Sequence, residues 1–70
     1  MNITLNYTEK FLLRWLAAAD SSALGECSGR ALDVLVRLEL AEIDDQRVSL
    51  TEKGWGLMTL EKLEPYNGTN

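Results

Sequence analysis

Histidine is absent from this sequence of 70 residues, and cysteine and proline occur once each. With no imidazole and a single thiol, the usual zinc ligand sets cannot be assembled, and Cys27 cannot close a disulfide within the chain. The missing histidine also removes the commonest general base, so neither Cys27 nor any serine or threonine hydroxyl has the partner that activates a nucleophile. Asp44 and Asp45 are adjacent within a polar run that reads as a solvated turn, not as a facing acid/base pair. The expectation is a protein that is not an enzyme and carries no metal or cofactor. Long apolar runs are lacking too. The stretch from Leu16 to Ala19 falls far short of the roughly 20 residues a membrane helix needs, and Met1 to Thr8 has neither the basic nor the apolar region of a signal peptide. A cytoplasmic location is expected by default. Positive charge is scarce as well: seven Lys/Arg stand against eleven Asp/Glu, a net charge of −4 that repels nucleic acid at long range. Any affinity for DNA must rest on local charge.

What remains is the composition of an ordinary globular chain, 46% hydrophobic and 26% charged, long enough for one small core. Phe11, Leu12, Trp15, Leu16 and Ala19 recur at helical spacing, and Asn6 with Glu9 three places on forms a capping-box pattern, which predicts a helix from about Tyr7 to Ala19. Asp20, Ser21 and Ser22 then suit a turn or a cap. A second helix is short, with Leu24 and Cys27 facing inward. Ser28 is expected to cap a third, in which Ala31, Val34, Leu35 and Leu38 make an apolar stripe opposite Arg30, Asp33 and Arg37. Leu40 to Ile43 alternate as a strand, Asp44, Asp45 and Gln46 turn, and Arg47 to Leu50 return, with Val48 and Leu50 on one side. Thr51 and Glu52 open a last helix carrying Leu57, Met58, Leu60 and Leu63, which Pro65 stops. One core is expected to combine Leu12, Trp15, Leu35, Leu38, Leu50, Leu57 and Leu60. Residues 1–64 then form one domain, and 65–70 a flexible tail.

The expected class is α+β, mostly α: three helices, a two-stranded hairpin and a C-terminal helix, the plan of a winged helix-turn-helix. The residues Leu35 to Ile43, followed by Val48, Ser49, Leu50, Thr51, Glu52, Lys53 and Gly54, resemble the recognition helix, wing and next helix of MarR-like regulators. Leu50, Thr51 and Gly54 match that family's Leu-Thr-x-x-Gly, and Leu5 with Asn6 resembles its opening Leu-Thr. The likeness runs from Leu5 to Leu63. Three features depart from the family. Glu39 stands where a glycine usually ends the helix, in a left-handed conformation that costs a residue with a Cβ about 1 kcal/mol, so a different helix end is expected. The second helix is abbreviated, and the long terminal helices that make the family's dimer are lacking, which implies a monomer or weak dimer.

The resemblance implies that the helix from Ser28 to Leu38 enters a major groove of double-stranded DNA while the turn at Asp44 to Arg47 meets the backbone. Arg30 and Arg37 would read bases or phosphates, Ser28 and Lys53 would contact phosphate, and Arg47 would serve the wing. Against this, Asp33 is spaced to pair with both Arg30 and Arg37 as a surface ion-pair ladder, and Asp44 and Asp45 bring negative charge to the wing. The alternative is a protein-interaction module that binds a host or partner protein without DNA, presenting Val36, Leu13 or Trp55. Trp55 is otherwise expected to pack against the wing, and Cys27 to be a small core residue.

Overall fold

The capping-box pattern is realised in full. In the computed structural model, which describes residues 4–19 and 21–66, the Glu9 N–H donates to Asn6 Oδ1 at 2.8 Å and the Asn6 N–H to Glu9 Oε1 at 2.9 Å. Two amides at the helix start are thereby satisfied, and α1 runs Tyr7–Ala19. The chain continues through β1 (Ser22–Ala23), α2 (Leu24–Cys27), α3 (Arg30–Arg37), β2 (Ala41–Asp44), β3 (Arg47–Leu50) and α4 (Glu52–Leu60). The result, among the described residues, is a small, mostly helical α+β domain with four helices and one antiparallel sheet ordered β1-β3-β2.

Strand β1 is a departure from the expected turn. Its two residues lie opposite Val48 and Arg47, too short a segment to leave an alternation in the sequence. Asp20, the first residue of the expected turn, lies outside the described residues. The hairpin is tighter than expected: Asp44 belongs to β2, opposite Arg47, and the turn is Asp45 and Gln46 alone. Both have positive φ, 51° and 69°, the pattern of a type I′ turn, whose twist matches the strands it joins.

Ser28 does not cap α3. The capping position is Gly29, at φ 145° and ψ −173°, a backbone region open essentially to glycine alone. Only Ser28 and Gly29 separate α2 from α3, and this conformation sets the direction in which α3 leaves. A Cβ at Gly29 meets nothing within 4 Å, so Gly29→Ala is expected to cost the backbone strain alone, about 1–3 kcal/mol. Urea unfolding measures it, and an unchanged midpoint would contradict the conformation assigned to Gly29.

Helix α3 ends in a left-handed turn made by a glutamate. Glu39 takes φ 65°; its N–H donates to the Val36 carbonyl at 2.9 Å, and the Leu40 N–H to the Leu35 carbonyl at 2.8 Å. This is the Schellman arrangement, so the expected change of geometry does not occur. Helix α4 closes in the same way through Lys62, at φ 56°, with Leu63 N–H on the Met58 carbonyl. It therefore stops ahead of Pro65, by its own hydrogen bonds.

The core lies between α1, α3, α4 and the sheet, with Leu13, Leu16, Leu35, Leu40 and Val48 its most deeply buried large side chains. Leu13, expected off the main stripe, is fully enclosed, whereas Trp15 is 36% and Leu60 76% exposed. The face of α1 is thus turned toward Leu12, Leu13 and Leu16. Trp15 instead joins an aromatic group at the border, its ring 5.9 Å from that of Tyr66, which is 4.9 Å from Phe11. Tyr66 donates its N–H to the Arg14 carbonyl and Arg14 Nε donates to the Glu64 carbonyl. Tyr66 of the expected tail thus packs on α1, and residues 67–70 lie outside the described residues.

Candidate nucleic-acid interface

The sequence-derived site residues are spread over three elements. Arg30 is the first residue of α3 and Arg37 the last, and both are exposed. Two turns of helix separate them, with exposed Asp33 between. The expected ion-pair ladder does not form: among the described residues the one ion pair joins Lys53 to Glu39, at 4.0 Å and largely in solvent. Such a pair contributes little. The arginines of α3 are held by no carboxylate, but Asp33 still places a negative charge between them.

Arg47 is exposed on β3, and its guanidinium donates to Ser21 Oγ at 2.8 Å. That bond ties the turn end of the hairpin to the segment before β1 and leaves the other guanidinium donors for solvent or a ligand. Ser28 is exposed in extended backbone between α2 and α3, one residue outside the capping position. Lys53 is placed differently from the rest. It lines a concavity with Glu39, Glu42 and Glu52, so its charge is spent among carboxylates. The structure therefore brings Ser28 and Arg30 to one end of α3 and Arg37 to the other, with Arg47 on the hairpin, and it puts Lys53 on an acidic surface.

That acidic concavity is the feature the sequence reading missed. It runs along β2 and the ends of α3 and α4, and its apolar part is formed by Val36, Ala41 and Ile43. The signal was present as Glu39, Glu42, Asp44, Asp45 and Glu52 grouped around one exposed isoleucine. They belong to a helix end, a strand, a turn and a helix start, so no local period groups them as a surface.

Cys27 takes no part in either surface. It is the buried last residue of α2, with its Sγ donating to the Ala23 carbonyl at 3.4 Å. Burial pushes its thiol up from the ordinary value, against a hydrogen bond from Ser22 that lowers it and the charge of Glu26 that raises it further. A thiol held protonated in this way is a poor nucleophile. Trp55, expected against the wing, is 41% exposed on α4. No helix among the described residues is long and apolar enough to cross a membrane. No family model matches the chain, and neither a curated protein nor a solved structure is significantly similar to it.

Proposed function

We propose that this chain is a winged-helix domain that binds duplex DNA, with the outer face of α3 in the major groove and the β2–β3 turn against the backbone. The observation that carries the reading is the pair of exposed arginines at the two ends of α3, in no ion pair among the described residues, beside a hairpin bearing a third. The order of elements supports it: a short strand between α1 and α2, then α3, then a hairpin whose second strand lies mid-sheet, is the winged-helix plan with the MarR-like resemblance of Leu50, Thr51 and Gly54. In this reading the domain binds as a monomer or weak dimer. No catalytic step, metal or cofactor is assigned to it.

So few cations on an acidic chain neutralise only about three or four phosphates, which gives a log-log salt slope near about −3. Arg37→Glu is expected to abolish binding. Asp33→Asn is expected to strengthen it, by removing repulsion of phosphate and not by freeing an arginine from an ion pair. Fluorescence anisotropy with labelled duplex at two salt concentrations checks all three. Absence of binding by the parent at low salt, with none recovered in Asp33→Asn, overturns the DNA reading. A protein-binding role is the second reading, favoured by the exposed apolar side chains of Val36 and Ile43 in the acidic concavity.

A further inference from the structure

Strand β2 stands at one edge of the sheet, paired on a single side with β3. The pairing parity decides which of its backbone groups are left over. Leu24 N–H donates to the Gln46 carbonyl at 2.8 Å, so along β1 and β3 the hydrogen-bonded partners are Leu24 with Gln46 and, two residues on, Ser22 with Val48. The backbone groups of Val48 therefore point toward β1, and those of Arg47 and Ser49 toward β2. Their partners there are Asp44 and Glu42. Ala41 and Ile43, opposite Leu50 and Val48, must then direct their N–H and C=O groups outward, along the free edge. Unpaired groups of this kind are a template for another strand.

Beside this edge lies the concavity, of about 550 Å³, floored by Val36, Ala41 and Ile43. Ile43 lies on the same face of the sheet as Ala41, Val48 and Leu50, all buried, yet it is 46% exposed, and Val36 above it is 36% exposed. Core-side apolar surface is thus uncovered just where the backbone is unpaired. Three glutamates, Glu39, Glu42 and Glu52, border it with Lys53 as the single cation, and that lysine is already paired with Glu39. Glu39 holds its place there in spite of a left-handed backbone, at φ 65°.

The charge selects the occupant. A second copy pairing β2 against β2 would set Glu42 and Asp44 against their own counterparts, and like charges facing across strands are destabilising. DNA phosphates are repelled by the same carboxylates. Residues 67–70, Asn-Gly-Thr-Asn, carry no cation to offer these carboxylates. We infer that the edge of β2 and the adjoining acidic groove form a docking site for an extended, basic segment of another protein, which adds a strand beside β2, seats an apolar side chain against Val36 and Ile43 and sets lysines or arginines against Glu39, Glu42 and Glu52. Main-chain bonds to Ala41 and Ile43 hold the segment, and alternate side chains give it specificity. The site borders the proposed DNA face on α3 and the hairpin but includes none of Arg30, Arg37 and Arg47.

The test uses the full chain, isotope-labelled, and an end-capped peptide of alternating lysine and valine. Saturable amide shifts confined to Val36, Glu39, Ala41 to Asp44 and Thr51 to Lys53 are expected. The same peptide methylated on alternate backbone nitrogens should bind in one methylation register and fail in the other, because strand addition uses one edge of the peptide. Glu42→Lys combined with Glu52→Lys should weaken binding roughly tenfold, and a peptide of alternating glutamate and valine should not bind. Equal binding of both methylated peptides would overturn strand addition, as would shifts centred on other elements or no saturation by the parent. The methylation comparison uses the unaltered protein, so it stands even if the double variant folds poorly.

Discussion

Gly54→Ala is expected to destabilise the domain by about 3 kcal/mol or more, although alanine is the better helix former. Gly54 lies buried in the first turn of α4. A Cβ built there falls inside contact distance of the Leu40 carbonyl oxygen and also meets Leu50 Cβ at 3.4 Å. The obstruction is backbone, so no rotamer change relieves it. The same carbonyl accepts the Thr51 N–H at 3.0 Å. Thr51 Oγ1 in turn accepts the Gly54 N–H at 3.0 Å and donates to the Glu39 carbonyl. Moving α4 away to admit a methyl group therefore strains several bonds that lock the start of α4 to the end of α3. Overpacking alone costs about 1–3 kcal/mol, and each weakened hydrogen bond adds about 1 kcal/mol.

Gly56 provides the contrast within the same helix. It is exposed, and a Cβ there meets nothing within 4 Å. Gly56→Ala should stabilise by about 0.5–1 kcal/mol through helix propensity. Urea titrations of the two variants are thus expected to move in opposite directions from the parent. Equal stabilisation of both would show that α4 does not approach Leu40 as closely as the structure has it. The comparison also gives a physical meaning to Leu50, Thr51 and Gly54: a strand end, a cap that bonds two elements, and a residue without a side chain where a carbonyl passes.

The same residues show what was legible in the sequence. Local hydrogen-bond chemistry was, because it is written in residues a few positions apart: the Asn6 and Glu9 box, the Thr51 cap, and the limits of α1. So was the presence of α3 and the hairpin, whose periods are distinct, although α3 buries Leu32 and Leu35 while Ala31, Val34 and Leu38 of the expected stripe are only partly covered. Ser28 was misplaced by one residue because Ser is a good cap by propensity, while the junction before α3 demands a backbone conformation that Gly29 alone supplies. Leu13, Trp15 and Leu60 went wrong for another reason. A short amphipathic helix fixes its buried face only to within a residue or so, and which edge is covered depends on what packs there. Tyr66, distant in sequence, covers the Trp15 edge of α1, whereas nothing among the described residues covers Leu60. Strand β1 was invisible since two residues have no period. The site residues divide in the same manner: the exposure of Arg30, Arg37 and Arg47 follows from local pattern, whereas the grouping of Lys53 with Glu39, Glu42 and Glu52 is created by the junction of α3, β2 and α4.

Leu35→Ala is expected to remove much of the stability of the domain. Leu35 is completely buried, and its neighbours in the core come from elements far apart in the chain, with α3 packed on both α1 and β2. Its carbonyl also accepts the Leu40 N–H at the end of α3, so the side chain sits beside the left-handed turn that starts β2. Truncating a buried leucine costs about 2–5 kcal/mol, more where the surroundings cannot collapse into the space. Here collapse is restricted, because the helix end is fixed by Glu39, Leu40 and their bonds to Thr51. A chain of this length has a total stability of roughly 4–10 kcal/mol, and each kcal/mol lost lowers the melting temperature of a domain this small by about 4–8 °C. Thermal unfolding followed by far-ultraviolet circular dichroism should show a fall of at least about 10 °C. Leu60→Ala, at a site 76% exposed, should leave the transition nearly in place. A Leu35→Ala variant as stable as Leu60→Ala would remove α3 from the centre of the core, and with it the placement of Arg30 and Arg37 on the opposite, outward face.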